Sequence, residues 1–253
     1  MNSVLNLYKR HGETPLQAVE RYVALHPEYK GAKMTYAGRL DPMAEGVLIV
    51  LAGDKNKERE AYTGLPKEYE FEFVLGVETD TFDVLGKLTG AKEGGTPPEA
   101  DIATALKKYE GRISQAYPPY SSKVVGGVPL FDLARRGKLA GIVLPRHEVE
   151  ARSIEFVSSR KTSRDEFAAV IEEDIGKVIG DFRQDEIRAA WRAFFKKSAA
   201  DSFVIFKARV SCGSGFYVRQ LVSDIGRDLG TGAVTIHILR TRVGEFKLED
   251  STR

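Results

Sequence analysis

The chain of 253 residues carries one cysteine, Cys212, and four histidines, His11, His26, His147 and His237, with no H-x-x-x-H pair among them. A lone thiol excludes an internal disulfide framework and a Cys-rich zinc site, and scattered histidines offer no metal ligand set, so no metal is expected. No apolar run approaches the roughly 20 residues that span a bilayer. The opening MNSVLNLYKRHGE has no uninterrupted apolar stretch behind a basic end, so neither a membrane anchor nor a secretory signal is expected. A soluble, cytoplasmic protein is the expectation. Charge of one sign is missing too: 38 Lys plus Arg stand against 36 Asp plus Glu, a formal net charge of +2. Bulk charge therefore names no partner. What is present is an apolar content of 42%, enough to bury a core in one large domain or two modest ones.

Helical and extended patterns interleave without a repeat or a low-complexity tract, which favours a mixed architecture of helices and strands. Thr14, Pro15 and Gln17 read as N-cap, first helical residue and capping-box partner. The helix then carries Leu16, Val19, Tyr22 and Val23 on one face until His26-Pro27 stops it. The apolar run 47–52 is a buried strand or the buried part of a helix. Over 68–75, Tyr69, Phe71, Phe73 and Leu75 alternate with Glu68, Glu70, Glu72 and Val74, a strand with one apolar face. A break at Gly94, Gly95, Pro97 and Pro98 leads into a helix with Ile102, Ala105, Leu106 and Tyr109 on one side. Further strands are predicted over 149–157, over 203–211 and around 233–239. From 158 to 200 the composition turns strongly charged, yet Ile187, Ala190, Trp191, Phe194 and Phe195 keep helical spacing and predict an amphipathic helix over 185–197. Its other face carries Arg188, Arg192 and Lys196 at steps of four, either a solvated surface or a rail for RNA phosphates.

The segment Gly38-Arg39-Leu40-Asp41-Pro42 puts an acid directly before a proline and the helix-compatible Met43-Ala44-Glu45. Asp before Pro is also ordinary helix initiation. The segment resembles the catalytic motif of pseudouridine synthases, carried here by Gly38, Leu40, Asp41, Pro42 and Gly46. The resemblance extends along the chain in the order of the TruB-type tRNA pseudouridine synthases. Lys9, Gly12 and Thr14 are similar to that family's first motif, and Lys67 to Gly76 to its K-x-Y strand ending in L-G. The run from Thr79 to Gly86 resembles its T-D-T-x-D-x-x-G loop. Pro118, Pro119, Tyr120, Ser121, Lys123, Ala134, Arg135 and Gly137 resemble its proline-rich segment and the A-R-x-G after it. Cys212, Gly215, Tyr217 and Arg219 resemble its C-x-x-G-x-Y-I-R segment. Five motifs in register over most of the chain leave little room for coincidence.

The resemblance implies an α+β pseudouridine synthase fold, a mixed, mainly antiparallel sheet flanked by helices with a central cleft. One catalytic domain over 1–253 is expected, with a charged helical insertion around 158–200 and no C-terminal PUA-type domain. The implied activity is an isomerase that converts uridine to pseudouridine in RNA without a cofactor, its substrate the T-loop uridine of tRNA conventionally numbered 55. A monomer bound to the T-arm stem-loop, without an obligatory protein partner, follows. By resemblance Asp41 is the catalytic acid, and Tyr69, Arg219, Tyr36, Ile238, Lys9, Tyr217 and Lys123 meet the substrate. Arg188, Arg192, Lys196, Arg135 and Arg136 are the candidates for the RNA backbone. Tyr36 stands where the family has His, Arg39 where it has Thr or Ala, and Ile238 where it has Leu; these departures bear on RNA choice. Asp80 and Asp83 read as a turn closing a strand rather than a cation loop. Three other readings stand: an RNA-binding or RNA-folding module with incidental catalysis, a synthase for another RNA, and an aspartate-dependent nucleoside glycosidase. The last lacks an evident second acid.

Overall fold

The computed structural model describes residues 3–92 and 96–253, so Gly94 and Gly95 of the expected break lie outside the described residues. Strands are β1 (Ser3–Lys9), β2 (Met34–Ala37), β3 (Ala44–Ala52), β4 (Lys67–Leu75), β5 (Val77–Thr79), β6 (Leu88–Ala91), β7 (Gly111–Ala116), β8 (Val124–Val125), β9 (Val128–Pro129), β10 (Arg146–Ser163), β11 (Ser202–Cys212), β12 (Ala233–Val243) and β13 (Phe246–Lys247). Helices are α1 (Pro15–Leu25), α2 (Arg59–Gly64), α3 (Glu99–Lys107), α4 (Leu130–Arg135), α5 (Arg164–Lys177), α6 (Gln184–Lys197) and α7 (Val218–Asp228). The main sheet runs β1-β3-β12-β4-β11-β10-β7, with β2 added on β3 and β13 on β12. Among the described residues, β3 and β12 are the one pair of strands in the main sheet that runs parallel; its other neighbours are antiparallel, so the sheet is mixed and mainly antiparallel as expected.

Strand β4 explains why the sheet has a dry and a wet side. Tyr69, Phe71 and Phe73 point into the core, which α3, α5, α6 and α7 complete through Leu106, Phe167, Trp191 and Leu221. The intervening glutamates meet cations across the sheet, Glu70 with Lys207 of the adjacent β11 at 2.7 Å and Glu72 with Arg160 of β10, the strand beyond it, at 2.7 Å. An antiparallel sheet with one face in water takes this alternation. Helix α1 has the expected capping box, in which Thr14 Oγ1 accepts from the Gln17 N–H and Gln17 Oε1 from the Thr14 N–H. Its buried row is Pro15, Ala18, Val19 and Tyr22, whereas Leu16, expected inside, is 57% exposed because it lies one position off that i, i+3, i+4, i+7 row.

The charged stretch departs from its expected start. Strand β10 continues to Ser163, paired with Ser202 of β11, so the helical part begins only at α5. Helices α5 and α6 then form a pair packed into the main core through Phe167, Ile171, Ile187 and Trp191. Trp191 is 2% exposed and its indole Nε1 donates to the Val84 carbonyl at 3.0 Å. Among the described residues no helix is long and apolar enough to cross a membrane.

Candidate active site

Strand β2 ends at Ala37, and residues 38–43 loop back into β3. Asp41 starts a turn in this loop, its carbonyl accepting from the Ala44 N–H at 3.0 Å, and no helix follows. The helix-start reading of Asp41-Pro42 is thereby overturned: the β-branched, wholly apolar run behind it is taken by the sheet between β1 and β12. Gly46 sits at φ +107, where an added Cβ would lie 2.3 Å from the Arg240 carbonyl. The motif glycine is needed for that close approach and for the positive φ.

Two buried cations clamp the loop. Arg240, 1% exposed, donates from Nε to the Val47 carbonyl at 2.7 Å, from Nη1 to that of Arg39 at 3.2 Å and from Nη2 to that of Gly38 at 3.3 Å. Lys9, 0% exposed, donates to the carbonyls of Arg10 at 3.0 Å, Pro42 at 3.4 Å and Ala44 at 2.5 Å. Burial pulls its amine down to about 7, against the upward pull of Asp41 and Glu13. Lys9, expected at the substrate, is thus spent on the loop that carries Asp41 and has no surface to offer RNA. Arg240 escaped the sequence reading, because an arginine in an alternating strand reads as exposed and only its register beside Gly46 buries it.

Arg219, in the first turn of α7, meets the loop from the other side. Its Nε and Nη2 both lie 2.8 Å from Asp41 Oδ2, while Nη1 donates to the Thr81 carbonyl and Nη2 to that of Tyr120 at 3.1 Å. The guanidinium is 3% exposed and the Asp41 side chain 40%. One carboxylate oxygen is therefore held in a fork while Oδ1, with no hydrogen bond among the described residues, is left toward solvent. The same Nε also lies 3.5 Å from Asp83 Oδ2. Asp83 also accepts from Thr81 Oγ1 at 2.7 Å and the Leu85 N–H at 2.9 Å. Burial pushes its carboxyl up to about 6, against the pull of Arg219. This second acid, which the sequence presented as a turn residue, is too enclosed to serve as the partner of a glycosidase pair.

Around the carboxylate stand aromatic and apolar groups. Tyr69, 8% exposed, shares a core cluster with Leu40 and Ile238, and burial raises its phenol. Ile238 lies in register with Ala44 on one side and Phe71 on the other. Tyr217 has its backbone bracketed by the Gln115 amide, at 2.8 and 3.0 Å. Burial, then the charge of Asp41, pushes its phenol up to about 12. Its ring meets Tyr117 edge-on at 5.7 Å, and Tyr117 stacks on His147 at 4.0 Å, an aromatic wall the sequence did not announce. Exposed Lys123 reaches to 5.1 Å from the centre of the Tyr117 ring. The Tyr36 hydroxyl accepts from Arg39 at 3.3 Å, beside a cavity of about 320 Å³ that Leu16, Met34 and Arg59 also line.

Among the cations expected at RNA phosphates, Arg135 and Arg136 end α4 and are exposed. Arg188 and Arg192 instead reach Glu172 of α5, at 2.9 and 3.2 Å, because the packing of α5 on α6 sets that one carboxylate between them. Lys196 alone of that stripe makes no ion pair among the described residues.

A model of the N-terminal domain of the TruB family of pseudouridylate synthases matches residues 27–179. The chain is 31% identical over 217 residues to tRNA pseudouridine synthase B of Syntrophobacter fumaroxidans, covering 86% of this chain and 56% of that one. It is 31% identical over 252 residues to the protein of the same name from Bacillus pumilus, covering 99% and 68%. Among solved structures it is similar to a chain of a Cbf5-Nop10-Gar1 complex, with a TM-score of 0.57 and 21% identity over 96% of this chain and 49% of that one. That likeness concerns the fold. The chain spans little more than half the length of the first relative and about half of the solved chain.

Proposed function

This chain belongs to the TruB family of pseudouridylate synthases, and on that premise we propose that it isomerises uridine to pseudouridine in RNA, its substrate the T-loop uridine of tRNA. The observation that carries the proposal is the Asp41 carboxylate, one oxygen forked by Arg219 and the other open. The reaction breaks the C1′–N1 glycosidic bond, turns the uracil and rejoins it through C5, which gives up its proton while N1 takes one up, with no net redox change. Asp41 Oδ1 adds to C1′ or takes a proton from the sugar, and in either case an ionised, oriented carboxylate is required. Arg219 supplies the orientation.

Tyr69 and Ile238 offer an apolar floor and wall for a base that has left its stack. Tyr217 closes the mouth beside Asp41; Tyr36, Lys123, Arg135 and Arg136 meet the surrounding RNA. The enzyme acts in the cytoplasm as a single chain, without a protein partner. The test incubates the purified chain alone with unmodified tRNA and maps pseudouridine by carbodiimide-adduct sequencing. One new site in the T loop is expected, absent with Asp41→Asn although that variant still binds tRNA, since the swap removes charge and keeps shape. No product, or an Asp41→Asn rate near wild type, would overturn the reading.

A further inference from the structure

Arg183 precedes α6 with a left-handed backbone, φ 65 and ψ 29, a conformation that a β-carbon disfavours and that neither glycine nor asparagine relieves here. From this position its guanidinium forks onto Asp80, Nη1 to Oδ2 at 2.6 Å and Nη2 to Oδ1 at 3.3 Å. The same guanidinium lies over the Tyr120 ring, 4.8 Å from its centre. The Tyr120 hydroxyl donates to Asp80 Oδ2 at 3.1 Å, so the three side chains close on one another. The ion pair is mostly enclosed, at 19% and 23% exposure.

What the trio holds is backbone. Arg219 donates to two carbonyls, that of Thr81, next in the chain to Asp80, and that of Tyr120 itself. These carbonyls belong to segments that no strand pairing joins: Thr81 follows β5 in a two-stranded ribbon, and Tyr120 follows β7 at the edge of the main sheet. Helix α6 is itself fastened to the first of them, through the bond from Trp191 to the Val84 carbonyl and an ion pair between Glu186 and Lys87 at 2.9 Å.

We propose that Arg183, supplied by the helical pair between β10 and β11, is a positioning residue for the Asp41–Arg219 pair. By tying Asp80 to Tyr120 it fixes the two carbonyls that orient the Arg219 guanidinium, and thereby the fork on Asp41 Oδ2. The inference rests on the function proposed above for its kinetic consequence, and on the side-chain geometry alone for its structural one.

The experiment compares wild type, Arg183→Ala, Arg183→Lys, Asp80→Asn and the Arg183→Ala/Asp80→Asn double variant. The first arm measures single-turnover pseudouridine formation at saturating tRNA beside tRNA affinity. Arg183→Ala and Asp80→Asn are each expected to lose about ten- to a hundred-fold in rate with affinity within about twofold, since small misplacements of a reacting group are costly. The double variant should be no slower than the slower single one, because both changes cut the same link. Arg183→Lys should fall in between, an ammonium being unable to fork and stack together. The second arm needs no activity: hydrogen exchange of the Arg219 side-chain Nε–H, with the Trp191 indole N–H as control. Exchange at Arg219 should quicken by about tenfold or more in Arg183→Ala while Trp191 stays protected. Equal quickening of both would mean that α6 has merely detached, and overturns the proposal. So would rates within about twofold of wild type, losses that multiply in the double variant, or Arg219 exchange that does not change. A wild-type protein that forms no pseudouridine overturns the proposed function instead, and the exchange arm still decides whether Arg183 orders Arg219.

Discussion

Lys9 shows how far a residue's task departs from its type. By resemblance it is expected at the substrate, yet it is fully buried and donates to the carbonyl of its neighbour Arg10 and to those of Pro42 and Ala44 beside Asp41. Lys9→Met keeps most of the volume and removes the donors, leaving buried acceptors unpaired at a cost of about 2 kcal/mol or more. Thermal denaturation should register roughly 4–8 °C for about that loss, and single-turnover rate should fall more than tRNA affinity as the loop loosens. Arg219→Lys is the sharper case. One ammonium cannot meet a carboxylate and two carbonyls lying in different directions, so a loss of about a hundred-fold or more in rate is expected in the same assay. Asp41 and Arg219 were legible because each sits inside a motif whose order along the chain identifies it. Arg240 was not, since a strand register encloses it, and Asp83 read only as a turn residue of its motif, its approach to Arg219 being a matter of tertiary enclosure.

Among elements, those whose pattern matches their period were readable and those defined by a partner were not. Strand β4, helix α1 with its capping box and helix α6 carry their own signals. The last turns of β10, with Arg160 and Lys161, look solvated and stay extended only because β11 pairs them out to Ser202. The same dependence revises the cationic stripe of α6. Arg188 and Arg192 spend their charge on Glu172 of the neighbouring helix, so Arg188→Ala with Arg192→Ala should leave tRNA affinity and its salt dependence nearly unchanged. Arg135→Ala with Arg136→Ala, on the exposed end of α4, should weaken binding across RNA sequences and lower the salt slope by about one unit for each phosphate that is no longer neutralised. A titration of affinity against salt separates the two helices.

At the scale of the molecule, the sheet gathers polar groups from distant parts of the chain. Glu45 of β3 accepts from Tyr8 of β1 at 2.7 Å and meets His237 of β12 at 3.0 Å, and His11 lies parallel to His237 and 3.5 Å from Asp174 of α5. The His237 bond, with help from Tyr8 and against burial, pulls the Glu45 carboxyl down to about 2 from an ordinary 4.5. A folded pKa below the unfolded one stabilises above the unfolded value, and the contribution disappears as pH falls through the folded one. Glu45→Gln should therefore lower Tm by a few degrees near neutrality, and the gap to wild type should narrow steadily between about pH 4.5 and about pH 2. A gap independent of pH would assign the loss to packing. The loop around Asp41 obeys the same long-range logic: its carbonyls at Gly38 and Arg39 wait for Arg240, 202 and 201 positions further along. On a ribosome the chain grows toward its C-terminus, so the Asp41 segment is made together with Lys9 but well before the arginine that holds its carbonyls at Gly38 and Arg39. A nascent chain stalled before β12 therefore holds Lys9 and Arg219 to meet the Asp41 segment, but not the guanidinium that fastens Gly38 and Arg39.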